Sequence, residues 1–169
     1  MVEVSPVFDG KVVHAGIFEF REMYRFLYEW FRQFEYLVQE KKYSEKIKAD
    51  GKEVDIEWIC LRKISEDYRF RMRVLIRIIK LVTVEVQEGG VSVKRDKGDI
   101  EVKFYSYIER DWQNRWDQHP ITKFLRGFYE RYMLRGRMEF FEDKLKDEVD
   151  ETMSQLKAFL ALMGDFNPV

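Results

Sequence analysis

The chain has 169 residues, 46% of them hydrophobic and 36% charged, and its 30 Lys and Arg against 31 Asp and Glu leave a formal net charge of −1. This is the composition of an ordinary soluble globular protein, and near-neutrality removes any global electrostatic pull toward nucleic acid or an anionic membrane. Folding a unit of this length takes about 70% of the unfolded chain's surface out of water, so a sizeable core is available to a single domain spanning residues 1–169.

Cys60 is the only cysteine. A lone thiol closes no intramolecular disulfide and builds no cysteine-based zinc site, and a reducing, cytoplasmic setting is expected. The start, Met1 to Pro6, lacks the basic and apolar regions of a secretory signal. No apolar run approaches the roughly 20 residues of a transmembrane segment.

Residues 1–16 carry Pro6, Gly10 and Gly16 around Val12 and Val13, which reads as an extended arm or a short strand between turns. Over 17–34, Phe20, Met23, Tyr24, Leu27, Trp30, Phe31 and Phe34 recur at steps of three and four, the spacing of one helical face. Phe18, Phe26 and Tyr28 fall outside that stripe, so this helix is expected to be covered on more than one side or to offer an aromatic flank to a ligand or partner.

The period changes to two over 36–111, an antiparallel meander. Lysines interleave with Tyr43 and Ile47 in its first strand, as at a guarded sheet edge. Asp50-Gly51 predicts a hairpin turn. A turn centred on residue 65 then pairs positions whose numbers sum to 130: Trp58 with Met72, Ile56 with Val74, Val54 with Ile76, Glu57 with Arg73 and Glu53 with Arg77. Gly89-Gly90 predicts a further hairpin, Asp96-Lys97-Gly98 a third turn, and the length of the alternation from Tyr68 a bulge near residues 79–81.

The helical period returns over 120–135, where Pro120 suits a first turn and Gly136 a break. A long helix follows over 137–163, with a seam of Phe141, Leu145, Val149, Met153, Leu156, Leu160 and Met163. The predicted fold class is therefore α+β: a curved antiparallel meander of about five or six strands packed against an N-terminal helix and two C-terminal helices. This order resembles in outline the helix-grip domains of the START and Bet v1 kind, and the resemblance implies a hydrophobic ligand cavity between a curved sheet and a long C-terminal helix.

No catalytic residue stands out. Cys60 is in phase with Trp58 and Ile56 and is expected to be buried, and His14 and His119 are too far apart for a zinc-binding helix motif. No metal or cofactor is implied. The acidic and basic residues of the last helix, Glu148 among them, read as a solvated face. Arg69, Arg71, Arg73 and Arg77 with Tyr105 and Tyr107 could form a nucleic-acid surface, but the acids on the neighbouring strand disfavour it. Lys123, Arg126, Arg131, Arg135 and Arg137 form a second basic set on the penultimate helix, suited to an acidic partner or to membrane headgroups.

The anomaly is Lys80, which continues the inward phase of Ile76 and Ile78. A buried ammonium must be paired, neutralised, carried to water by a bulge or faced with a cavity. The leading expectation is a non-enzymatic binder of an apolar or amphipathic, lipid-like small molecule, lined by Lys80, Trp58, Met72, Phe104, Ser106 and Trp112, with Arg62 as a further inward polar group. The alternative is a protein-interaction or assembly module, such as a homodimer, acting through its aromatic first helix or long last helix.

Overall fold

The computed structural model of the protein describes residues 2–113 and 135–164. Strand alternation begins earlier than the sequence suggests: β1 is a full strand, Glu3–Phe18, and it pairs antiparallel with the last strand of the meander. The remaining strands are β2 (Leu37–Lys48), β3 (Gly51–Lys63), β4 (Tyr68–Glu88) and β5 (Val91–Arg110). They form a five-stranded antiparallel open sheet in the order β1-β5-β4-β3-β2. Two helices accompany it among the described residues, α1 (Phe20–Gln33) and the 30-residue α2 (Arg135–Gly164), giving an α+β architecture. The helix expected over 120–135 falls outside the described residues, apart from Arg135, which opens α2.

Because β1 and β2 lie at opposite edges, the segment joining them must cross the sheet. Four gaps of about 4.8 Å make about 19 Å, and a 14-residue helix at 1.5 Å per residue spans about 21 Å. That helix starts at Phe20, three residues later than its periodicity suggests, since Ile17 and Phe18 still belong to β1. Glu19 makes no side-chain cap; Asp96 of β5 supplies the missing acceptor, its Oδ2 receiving the Phe20 N–H at 3.0 Å. Asp96-Lys97-Gly98 is accordingly no turn. It is continuous β5, paired with Phe18, Ile17 and Gly16 of β1.

Of the predicted hairpins, Gly89-Gly90 forms as expected, both residues at positive φ between the paired Glu88 and Val91. The β2–β3 turn is displaced by one residue: Lys48 pairs with Gly51, leaving Ala49 and Asp50 at the tip. Gly51 is needed instead for close approach, since a Cβ there would stand 2.8 Å from the Lys80 carbonyl carbon. The β3–β4 register is also displaced, by two residues: Trp58 faces Val74, Ile56 faces Ile76 and Val54 faces Ile78. The cause is a wider turn, in which Ser65 Oγ accepts the N–H groups of Asp67 (3.2 Å) and Tyr68 (3.1 Å). An even displacement keeps every side chain on its expected face.

The inner face is apolar and both helices lie on it. Val54, Ile56, Trp58, Phe70, Met72, Val74, Ile76, Ile78, Val102 and Phe104 pack with Met23, Leu27 and Phe31 of α1 and Leu145, Val149, Leu156 and Leu160 of α2 in one core. The aromatic flank of α1 is partly covered: Phe26 stacks on Phe159 of α2 at 4.7 Å between ring centroids, while Tyr28 approaches Trp58 edge-on and stays exposed. No described helix is long and apolar enough to cross a membrane.

α1 ends in a Schellman arrangement, with Tyr36 N–H bonded to Phe31 O at 2.9 Å and Glu35 N–H to Arg32 O at 3.0 Å. This places exposed Glu35 at φ 62°, where a side chain is strained and glycine is not. Glu35→Gly should raise the unfolding free energy by about 0.5–1 kcal/mol in urea titrations, and Glu35→Val should lower it.

Candidate interaction surface

The residues expected to line a cavity are only partly brought together. Trp58, Met72, Phe104 and Ser106 share the inner face and are fully buried. Phe104 and Trp58 flank Val74 in one row, and Met72 sits directly opposite Ser106. Ser106 serves β1: its hydroxyl accepts the Phe8 N–H (3.1 Å) and donates to Phe8 O (2.8 Å) beside the bulge between Pro6 and Phe8. Trp112 stands apart at the end of β5, its indole N–H donating to Ser65 O at 3.3 Å and its ring faced by the Arg69 guanidinium at 4.9 Å.

Lys80 corrects the expectation of an inward ammonium. The register of β4 shifts between Ile79 and Val82, Lys80 adopts φ 54°, and its side chain is 60% exposed with Nζ 3.9 Å from Asp99. The bulge carries the charge to water, so the group meets neither a burial penalty nor a need for a buried partner.

Polar chemistry inside the fold centres on Glu148, which the sequence places on a solvated face. It points to the sheet, accepting from Tyr36 Oη at 2.7 Å and from Arg62 Nη1 at 2.8 Å. Thr152, one turn on, accepts the Trp30 indole N–H at 2.9 Å and donates to Glu148 O at 2.6 Å. This cluster ties α1, β3 and α2 together. Its one sequence signal is position, since Glu148 adjoins the seam residue Val149 and precedes Thr152 by four. Arg62 is thereby committed to the fold. Burial pushes the Tyr36 hydroxyl far above the ordinary phenol range, and the Glu148 carboxylate adds to the shift.

Burial raises the Cys60 thiol to about 12, which keeps it protonated and inert. His14 Nε2 donates to Ile17 O at 3.2 Å, a local structural bond. Among the described residues no group of three or more His, Cys, Asp or Glu is placed to hold a metal ion.

The outer face of the sheet is different in kind. Ladder pairing sets its side chains in rows that cross all five strands: Pro6, Tyr107, Arg71, Leu61 and Leu37; then Asp9, Tyr105, Arg73, Ile59 and Gln39. Lys11, Lys103, Leu75, Glu57 and Lys42 follow, then Val13, Glu101, Arg77, Asp55 and Ser44. Both described helices pack on the opposite side. Glu109, only 3% exposed, holds Arg69 through Nε at 2.7 Å and Arg71 through Nη1 at 3.2 Å. Glu57 holds Arg73 Nε at 2.7 Å, diagonally across the ladder. Two shallow depressions flank Arg73, one of about 300 Å³ toward Arg77 and Lys103, the other of about 230 Å³ toward Val4 and Tyr107.

Ile59 is 7% exposed on this face, opposite Arg73. Long arginine stems cover apolar neighbours in such positions while their heads stay wet. The first two rows thus combine Tyr, Arg, Leu and Ile, with Asp9 as their only acid. Comparison with known proteins returns no matching family model, no matching curated protein and no matching solved structure.

Native Tyr36 holds its proton more tightly than the unfolded chain does, so its contribution to stability is complete below about pH 10 and is lost as pH rises above that value. Urea unfolding of the wild type should show stability falling above pH 10, and Tyr36→Phe should flatten that fall; an unchanged slope in the variant would contradict the buried phenol.

Proposed function

We propose that this chain is a non-enzymatic interaction module that docks a partner protein on the outer face of its sheet. The observation that carries the reading is the pair of rows built from Tyr105, Tyr107, Arg71, Arg73, Leu61, Ile59 and Leu37 on the side away from both described helices. Tyr and Arg are the side chains that dominate binding energy at protein interfaces, and here they surround apolar residues with acids largely displaced to neighbouring rows.

Other occupants and surfaces have less in their favour. A lipid-like ligand between the sheet and α2 needs a polar anchor on the inner face, and Lys80 stands in water beside Asp99. α2 lies on the inner face with Met153 packed over Gly10 of β1. The aromatic flank of α1 is spent on α2, although Tyr28 and Phe140 of α2 remain exposed. For nucleic acid, Arg69, Arg71 and Arg73 are already paired with Glu109 and Glu57, which cancels two of their three charges and leaves fewer counterions to release.

A photo-activatable benzoylphenylalanine placed at Tyr107, Tyr28 or Phe140 separates these surfaces in the chain's native cells. The reading predicts a discrete protein adduct from position 107. Adducts from 28 or 140 alone would move the interface to the helices, and none from any position would refute docking.

A further inference from the structure

One more row of the outer face, Val4, Glu109, Arg69 and Lys63, borders the row of Tyr107 and Arg71. In that row and the two Tyr–Arg rows, Arg69, Arg71, Arg73 and Lys63 face only the carboxylates of Glu109 and Asp9. The next row adds Lys11, Lys103 and Lys42 against Glu57. Seven cations thus stand against three acids, and the further pairing of Lys63 with Glu66 and of Lys103 with Glu101 still leaves a surplus of two, in a chain whose net charge is −1. From this imbalance and the depression it surrounds, we infer that the partner docked on this face presents an acidic segment, rich in Asp and Glu, whose carboxylates seat between Arg71 and Arg73 against Tyr107. The inference rests on the docking reading above and adds the chemistry of the partner.

The depression of about 230 Å³ is lined by Val4, Glu57, Arg71, Arg73 and Tyr107, so two guanidiniums and a phenol converge on it. The chain's own acids leave these arginines donors to spare. Glu109 Oε2 takes Arg69 through both Nε and Nη2, while Oε1 reaches Arg71 only through Nη1 at 3.2 Å. Arg71 Nε is buried and, among the described residues, has no hydrogen-bond partner. Glu57 engages Arg73 through Nε at 2.7 Å. Each guanidinium carries five donors in a fork that matches a carboxylate, and the two side chains are 38% and 43% exposed, so a second carboxylate can reach both.

Two features favour a protein segment as the source of the charge. Leu61, Ile59 and Leu37 continue the rows of Arg71 and Arg73, and they call for aliphatic side chains, which a sugar–phosphate backbone does not present. Glu57 in the wall of the depression repels a chain that carries a phosphate on every unit. A peptide sets its carboxylates over the arginines and an uncharged residue over Glu57.

The probe is a fluorescein-labelled peptide repeating Glu-Thr-Glu-Leu three times, whose carboxylates recur at about 6.8 Å in an extended chain, the step from Arg71 to Arg73 along β4. Its counterpart carries Gln in place of every Glu. Fluorescence anisotropy with the full chain at low salt should show the Glu peptide binding at least about tenfold more tightly than the Gln peptide. That advantage should vanish at about 0.5 M salt and in Arg71→Gln with Arg73→Gln. The peptide comparison uses the unaltered chain, so it decides the question even if circular dichroism shows the double variant to be unfolded. Equal binding of the two peptides, no binding of either, or an advantage that survives in a folded double variant would overturn the inference. Tighter binding of a single-stranded oligonucleotide or of phosphatidylserine vesicles would overturn it in favour of nucleic acid or a membrane surface. The cross-link from position 107 separates this failure from that of docking: an adduct whose attached segment is poor in Asp and Glu removes the acidic partner and leaves the docking face standing, and no adduct from any position removes both.

Discussion

The row Gly10, Phe104, Val74, Trp58 and Glu40 crosses all five strands on the inner face, and its three central side chains have no accessible surface because the helices lie on that face. Burying a side chain of this size contributes about 1.5–3 kcal/mol, and many such rows repeat along β3, β4 and β5. That burial dictates the rest of the architecture. It holds α1 across the sheet, brings α2 down between β1 and the end of α1, and forces every second residue of each strand to the other side. The polar groups that must enter the covered layer are matched there: Glu148 with Tyr36 and Arg62, Trp30 with Thr152, Ser106 with the backbone of Phe8.

Three irregularities let long strands follow the covering helices, and each lies where the ladder can afford it. The bulge beside Pro6 is on an edge strand, where the absent proline N–H removes no central ladder bond, and Ser106 restores the lost partners. The shift between Glu40 and Lys42 is on the other edge. The central bulge at Lys80 is harder to place, and Gly51 and Gly98 make room for it from the two neighbouring strands. Its consequence for function is direct, since it turns Lys80, which continues the inward phase of Ile76 and Ile78, out into water.

Side-chain periodicity made the two faces of the sheet, the seam of α2 and the Gly89-Gly90 hairpin legible. What it missed has local causes. The register of β3 against β4 depends on how Ser65 organises its turn, and that is hydrogen-bond geometry rather than pattern. The role of β1 as a full edge strand is hidden by Pro6, Gly10 and Gly16, which resemble loop punctuation yet are tolerated at an edge and under a close helix. Asp96 looks like a turn residue because its capping partner, Phe20, lies 76 positions away. The inward phase of Lys80 failed for the reason the length of the strand itself suggests, a bulge. The arginines and tyrosines of the outer face were readable, but their assembly into rows with Leu61, Ile59 and Leu37 requires the true register.

Among the described residues the inner face of the sheet is sealed by the helices and the outer face carries none, and cysteine labelling along β4 tests that division most directly. In a Cys60→Ala background, single cysteines at Arg71, Arg73 and Leu75 should react rapidly with a maleimide in dilute solution, while those at Met72 and Val74 should react only as the protein unfolds. Equal rates at odd and even positions would contradict the account, because they would place solvent-filled space behind the sheet where the core is held to be closed.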